Sequence, residues 1–383
     1  MSEYQYYEFQ AIDRPLRAEE LAAVRACSSR ARITSTSFIN EYNWGDFKGD
    51  EGQWMARYYD AFLYVANWGT HTLKFRLPAR LLDPDAVKPY CDGESMKLQR
   101  AGDHVVLTFS SAEDDEPEWE EGSGQLTPLL PIRDQLMRDD HRALYLGWLL
   151  SIQFSDDAAE ALEPPVPPGL GRLGAALENL VEFLRVDTDL VDVAAVVSTL
   201  SPVKPPDEAE LVAWLARQSP REKDQWLARF VLQSELVLPA ELMQRFLRDH
   251  ATGQHAEAGA ERPAPRTACA LLEAAVSRRV DRERSTVARE AVERVRRERE
   301  LATARERHLD SLAGRETQLW RKINDLIASK LPKNYDQAVG LLVDLRDLAA
   351  RSDERNFSTA LIDLRATHSR KPGLMERLAR AGL

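Results

Sequence analysis

From Thr267 to Ala313 the chain contains neither proline nor glycine. Alanine, arginine and glutamate, all good helix formers, fill most of that span, which predicts one very long helix and an all-α second half. The pattern runs on through Gly314 to Lys330, where Leu309, Leu312, Leu319, Ile323 and Leu326 follow a three-four repeat with Glu316 as a polar intruder. Upstream, Val276, Val280 and Val287 keep a thinner apolar seam among many charges. A partner helix in the same chain fits this repeat, and so does one in a second copy. Pro332 ends the helix, and Tyr335–Ala349 and Phe357–His368 then predict a helical hairpin closed by Lys371-Pro372.

The first half has a different grammar. Asn43-Trp44-Gly45 and Asn67-Trp68-Gly69 each close a run of β-branched and aromatic residues, and Gln53–Tyr59 between them has helical character. With Tyr4–Ile12 as a first strand and Ala18–Arg30 as a first helix, this reads as alternating strands and helices. Thr72–Leu77 adds a strand, and two further strands flank Gly102-Asp103 as a hairpin. Leu144–Ile152 is apolar nearly all round, so that helix is expected inside the core. The fold class is therefore α+β: an N-terminal mixed sheet with helices, then an all-α region.

Composition shifts divide the chain further. The expected order is an α+β domain over 1–160, a helical middle region over 161–250, a linker over 251–266, the long charged helix over 267–330 and the hairpin over 331–383. The sharpest boundary is Pro164-Pro165-Val166-Pro167-Pro168-Gly169, a stiff, extended connection. Ser219-Pro220-Arg221-Glu222 carries the signature of a capped helix start.

An apolar fraction of 44% excludes wholesale disorder. No run approaches the roughly 20 apolar residues of a membrane span, and MSEYQYYEF has the character of neither a signal nor a transit peptide. Cys27, Cys91 and Cys269 are too few and too scattered for a disulfide framework or a zinc site. A cytoplasmic location is the expectation by elimination. The net charge of −11 is concentrated up to Glu163, including the cluster 113–121, while arginines crowd Arg278–Arg307. Glutamates nearly balance those arginines, which suits a solvated helix; phosphate contact is the alternative.

Motifs that name a reaction are missing. There is no phosphate-cradling loop, dinucleotide fingerprint, H-E-x-x-H or G-x-S-x-G, and no cofactor is expected. His250 and His255 fall in a stretch of linker composition. The remaining candidates surround the two tripeptides. If the first three strands run parallel, Asp13 and Arg14 join Asn43, Trp44, Asp46, Asn67, Trp68 and His71 at one sheet end, where open sheets of that kind bind ligands. The tryptophans would be stacking walls, the asparagines hydrogen-bond forks, Arg14 an anion partner and His71 beside Asp46 an acid or base. The alternative is structural: Asn and Gly make the turns and the tryptophans cap the core.

Tyr335-Asp336-Gln337-Ala338-Val339-Gly340-Leu341-Leu342 resembles the second helix of a tetratricopeptide repeat, with the helix ending Leu326-Ile327 as the first. The whole tail, from YDQAVGLLVDLRDLA to RKPGLMERL, also resembles the C-terminal segments of bacterial SWIM-type zinc-finger proteins. The cysteine-histidine finger itself is absent, so nucleic-acid binding does not carry over. The N-terminal part resembles an uncharacterised bacterial family, which implies no activity. The organisation suits a non-enzymatic adaptor or regulatory protein making protein contacts through Leu341, Leu342, Leu345 and Leu348, with coiled-coil self-association as one mode. Ligand binding or catalysis at the tripeptides is the first alternative, and nucleic-acid binding through the arginine-rich helix the second.

Overall fold

The computed structural model describes residues 4–112, 121–154, 160–199, 207–233, 237–254, 264–352 and 356–383. The acidic residues 113–120 and His255 lie outside them. The chain divides into two compact units, Met1–Asp281 and Arg282–Leu383.

The first unit is built on a seven-stranded sheet of order β2-β3-β1-β4-β5-β7-β6. Its strands are β1 (Gln5–Gln10), β2 (Arg32–Ile33), β3 (Ser37–Tyr42), β4 (Ala61–Ala66), β5 (Thr70–Pro78), β6 (Met96–Ala101) and β7 (His104–Ala112). Every pairing is antiparallel, so the parallel arrangement of the first three strands does not occur. Alternation along the strands sorts their side chains onto two faces. Tyr7, Phe9, Phe38 and Phe62 point to one, covered by α1 (Ala18–Cys27) and α2 (Glu51–Arg57). Leu63, Val65, Leu73, Phe75, Leu107 and Phe109 point to the other, which holds the larger core.

The helices of that larger core come from far along the chain. After α3 (Pro84–Val87) they include α4 (Pro131–Met137), α5 (Arg142–Phe154), α6 (Ala175–Leu184) and α7 (Thr188–Ala195). Leu144–Ile152 is buried on all sides, as its composition predicts. The proline run does not separate domains: Leu170, Leu177, Leu180 and Leu190, all beyond it, pack into the same core as the sheet. Hydrogen bonds stitch it down, with the Tyr90 hydroxyl donating to the Pro165 carbonyl at 2.7 Å and Arg266 pairing with buried Glu163 at 2.6 Å. Glu163 also accepts the Tyr145 hydroxyl. Arg266, expected in a linker, is therefore anchored, and Ala268, Leu271 and Ala275 follow it into the core. The unit also contains α8 (Glu208–Arg217), α9 (Pro220–Gln233) and α10 (Leu238–Gln254). The Ser219–Glu222 capping box forms at the start of α9. His250 belongs to α10, where its ring packs on Phe246.

The long helix α11 (Ala268–Leu312) begins in the first unit and continues into the second. It does not reach Lys330. Gly314 takes a left-handed φ of +79°, a conformation glycine adopts at no steric cost, and α11 stops there. A separate helix α12 (Glu316–Ala328) follows, then α13 (Pro332–Ser352), α14 (Asn356–Thr367) and α15 (Pro372–Arg380). Instead of a simple hairpin, these helices share one core, in which Leu319, Ile323 and Ile327 of α12 meet Ala338, Leu342 and Leu345 of α13 and Leu374 and Leu378 of α15. Among the described residues no helix is long and apolar enough to cross a membrane.

Candidate functional site

Strands β3 and β4 both pair antiparallel with β1, one on each side, so they run in the same direction. Their ends place both Asn-Trp-Gly turns at one end of the sheet. Gly45 and Gly69 each have φ near +90°, +86° and +89°, which explains why glycine closes both turns. Asn67 is structural: its side-chain oxygen accepts the Tyr4 amide at 2.9 Å while its own amide donates to the Tyr4 carbonyl at 3.0 Å. Asn43 is exposed.

The tryptophans do not cap the core. Trp44 is 69% exposed and Trp68 42% exposed, with the Arg30 guanidinium 5.2 Å from the Trp44 ring centre. Trp68 walls a cleft of about 680 Å³ whose floor is Gln5, Tyr7 and Tyr64 and whose rim carries Asp46 and Glu51. The floor is a fixed polar network. Both tyrosine hydroxyls lie 2.9 Å from the Gln5 side-chain oxygen, the Tyr7 hydroxyl lies 2.9 Å from Asp46 Oδ1, and Gln5 Nε2 donates to the Gly45 carbonyl. Burial raises the pKa of both tyrosines, Tyr64 to about 12 and Tyr7 further, so both remain O–H donors at neutral pH. Lys74 reaches Glu51 at 2.6 Å and neutralises one of the two rim carboxylates.

The remaining candidates lie elsewhere. Asp13 and Arg14 follow the other end of β1, a consequence of its antiparallel direction. There Asp13 pairs with Arg133 and Arg14 with Glu20. His71 points to the opposite face of the sheet from the cleft, fully buried and stacked on Phe183 with Nδ1 2.6 Å from the Phe183 carbonyl. It does not meet Asp46. Gln5, Tyr7 and Tyr64 escaped the sequence reading, although a glutamine and a tyrosine two residues apart on one strand must share a face.

In the second unit, Leu342 and Leu345 are buried in its own core, and Leu341 and Leu348 are half-buried. Exposed apolar side chains of this unit lie along α11, with Leu331 and Ile362 exposed beyond it. Val287, Val292, Val295 and Leu301 are all exposed, Leu301 by 71%. Turning about 100° per residue, Val287, Ala291, Val295, Leu301 and Ala302 fall on one side of the helix, interrupted by Arg294 and Glu298. Among the described residues, the side-chain bonds of Thr286, Arg289, Arg296 and Thr303 stay within α11 itself, such as Arg296 to Glu300 at 2.9 Å. Further along, Arg305 and His308 reach Asp344 of α13.

Among the described residues, no group of His, Cys, Asp and Glu has the arrangement of a metal site. Compared with models of known protein families, with curated proteins and with solved structures, the chain matches none.

Proposed function

We propose that this chain is a non-enzymatic interaction protein whose working surface is the bare stripe of α11, and that the stripe is covered by the same stripe of a second copy. The observation that carries this reading is the exposure of Val287, Val295 and Leu301 along one side of a helix that continues into a packed unit. Helices in water are stabilised chiefly by burying an apolar face, and this face has no cover within the described chain. Seven arginines and five glutamates lie between Arg282 and Ala304, so two copies do not repel strongly. The direction follows from the two charges on the stripe. Parallel helices would set Arg294 against Arg294; antiparallel helices set Arg294 against Glu298 of the other copy and Ala291 against Leu301.

The test is sedimentation equilibrium of the full chain beside Val287→Glu/Leu301→Glu. The reading expects a wild-type dimer and a monomeric, fully helical variant. A wild-type monomer at every accessible concentration overturns it.

A second reading is favoured by the exposed tryptophans. The sheet-end cleft binds a small polar ligand that stacks on Trp68 and meets Gln5, Tyr7 and Asp46 with its hydrogen-bonding groups. Glycan and metabolite panels on the wild-type chain and Trp68→Ala test it; equal binding by both proteins removes its support.

A further inference from the structure

The sheet-end cleft is short of hydrogen-bond donors. Two hydroxyl protons, those of Tyr7 and Tyr64, serve three oxygen–oxygen contacts of 2.9 Å: Tyr7 to Gln5 Oε1, Tyr7 to Asp46 Oδ1, and Tyr64 to Gln5 Oε1. The Gln5 amide is not free to turn round and supply more. Its Nε2 donates to the Gly45 carbonyl at 3.0 Å, and a reversed amide would face that carbonyl oxygen to oxygen. One of the three contacts is therefore left without a proton, and the floor accepts from whatever enters. Among the described residues Asp46 bonds only through Oδ1, to the Tyr7 hydroxyl and the Phe47 amide, so its Oδ2 is a further acceptor.

Charge narrows the ligand. Among the described residues that line the cleft there is no arginine, lysine or histidine. Lys74, which reaches Glu51, is already paired with it. A phosphate or carboxylate would meet no free counter-charge there. Asp46 is exposed, so water screens its charge and it serves as an acceptor, not as a selector of cations. The hydroxyls also continue across the sheet, because Thr72 and Ser110 stand in register with Tyr7 and Tyr64 on neighbouring strands. What the cleft lacks is a set of O–H donors, and what its wall offers is the indole of Trp68.

We infer that the ligand of this cleft is a neutral pyranose. Its ring presents an apolar C–H face that packs on Trp68, and its rim carries several hydroxyls that donate to Asp46 and the tyrosine oxygens. This rests on the reading of the cleft as a ligand site and narrows it to one class.

The experiment is a saturation-transfer NMR titration of the full chain with the methyl pyranosides of glucose, mannose and galactose. Methyl glucuronide, cyclohexanol and glycerol are the comparison probes: the first adds a carboxylate, the second keeps the apolar face without the polyol, and the third keeps the polyol without the face. At least one neutral glycoside binds, about tenfold or more tightly than any of the three. Trp68→Ala lowers its affinity about tenfold, and Trp68→Phe recovers part of the loss; circular dichroism checks that both variants are folded. The inference is overturned if no neutral glycoside binds at millimolar concentration, if Trp68→Ala binds undiminished, or if a comparison probe binds as tightly. The ligand-site reading fails separately, when Trp68→Ala also matches the wild type across the whole metabolite panel.

Discussion

Arg133 clasps both carboxylate oxygens of Asp13, at 2.9 and 2.6 Å, while its Nε donates to the Arg76 carbonyl at 2.8 Å. The pair joins α4 to the loop after β1, and it completes a buried cluster around Asp60. One Asp60 oxygen accepts two bonds from Arg76, at 3.1 and 2.6 Å, and the other accepts the Ile12 and Asp13 amides at 2.6 and 2.9 Å. Asp13 thus serves the sheet's far end as a structural ion pair.

Replacing Asp60 should be among the most damaging single changes in the first unit. Asp60→Asn leaves Arg76 buried without its counter-charge, and breaking a buried pair in this way costs about 3–5 kcal/mol. Burial alone raises the Asp60 pKa, but Arg76, Arg133 and the two amides outweigh it and hold the carboxyl below its ordinary value. A depressed folded pKa contributes stability that is complete above the unfolded value of about 3.9 and is lost as pH falls through the folded value. Urea denaturation followed from pH 7 downward should therefore show a loss below about pH 4 that is shallower in Asp60→Asn.

The sheet-end tryptophans should behave in the opposite way. Trp44 and Trp68 are exposed, and Trp44 contributes at most its stacking with Arg30. Alanine at either position changes stability by no more than about 1 kcal/mol, measured by the same denaturation. A cooperative loss of several kcal/mol would mean that the turns are held by the indoles.

Gly147 makes a third case. It lies within α5, where alanine normally gains about 1 kcal/mol over glycine. A Cβ there would stand 2.8 Å from Met96 Sδ and 3.0 Å from the Phe109 ring. Overpacking of this kind costs about 1–3 kcal/mol, so Gly147→Ala is expected to lower the melting temperature. A higher melting temperature would show that Met96 yields freely.

These sites mark what a sequence displays and what it hides. The strands, the all-round apolar α5 and the long α11 were legible because each is a local pattern of period 2 or 3.6. Strand direction was not: nothing local in Asn43-Trp44-Gly45 tells whether β1 runs with or against its neighbours, and that choice sent Asp13 and Arg14 to the far end. The proline run has linker composition, yet Tyr90 and the Arg266–Glu163 pair bind it down through contacts spanning 75 and 103 residues. Leu342 and Leu345 lie on a helical stripe that reads the same whether its cover is internal or a partner. The cleft floor of Gln5, Tyr7 and Tyr64 depends on register between β1 and β4, which only the paired sheet reveals.

The proposed pairing of α11 is tested most directly by exchanging its two stripe charges. Arg294→Glu and Glu298→Arg each put like charges together in an antiparallel pair; the double variant restores the opposition. Sedimentation velocity should give a wild-type dimer, a dissociation constant raised about tenfold or more in each single variant, and recovery in the double variant. A monomeric wild type, or single variants that dimerise as well as the wild type, would contradict the account.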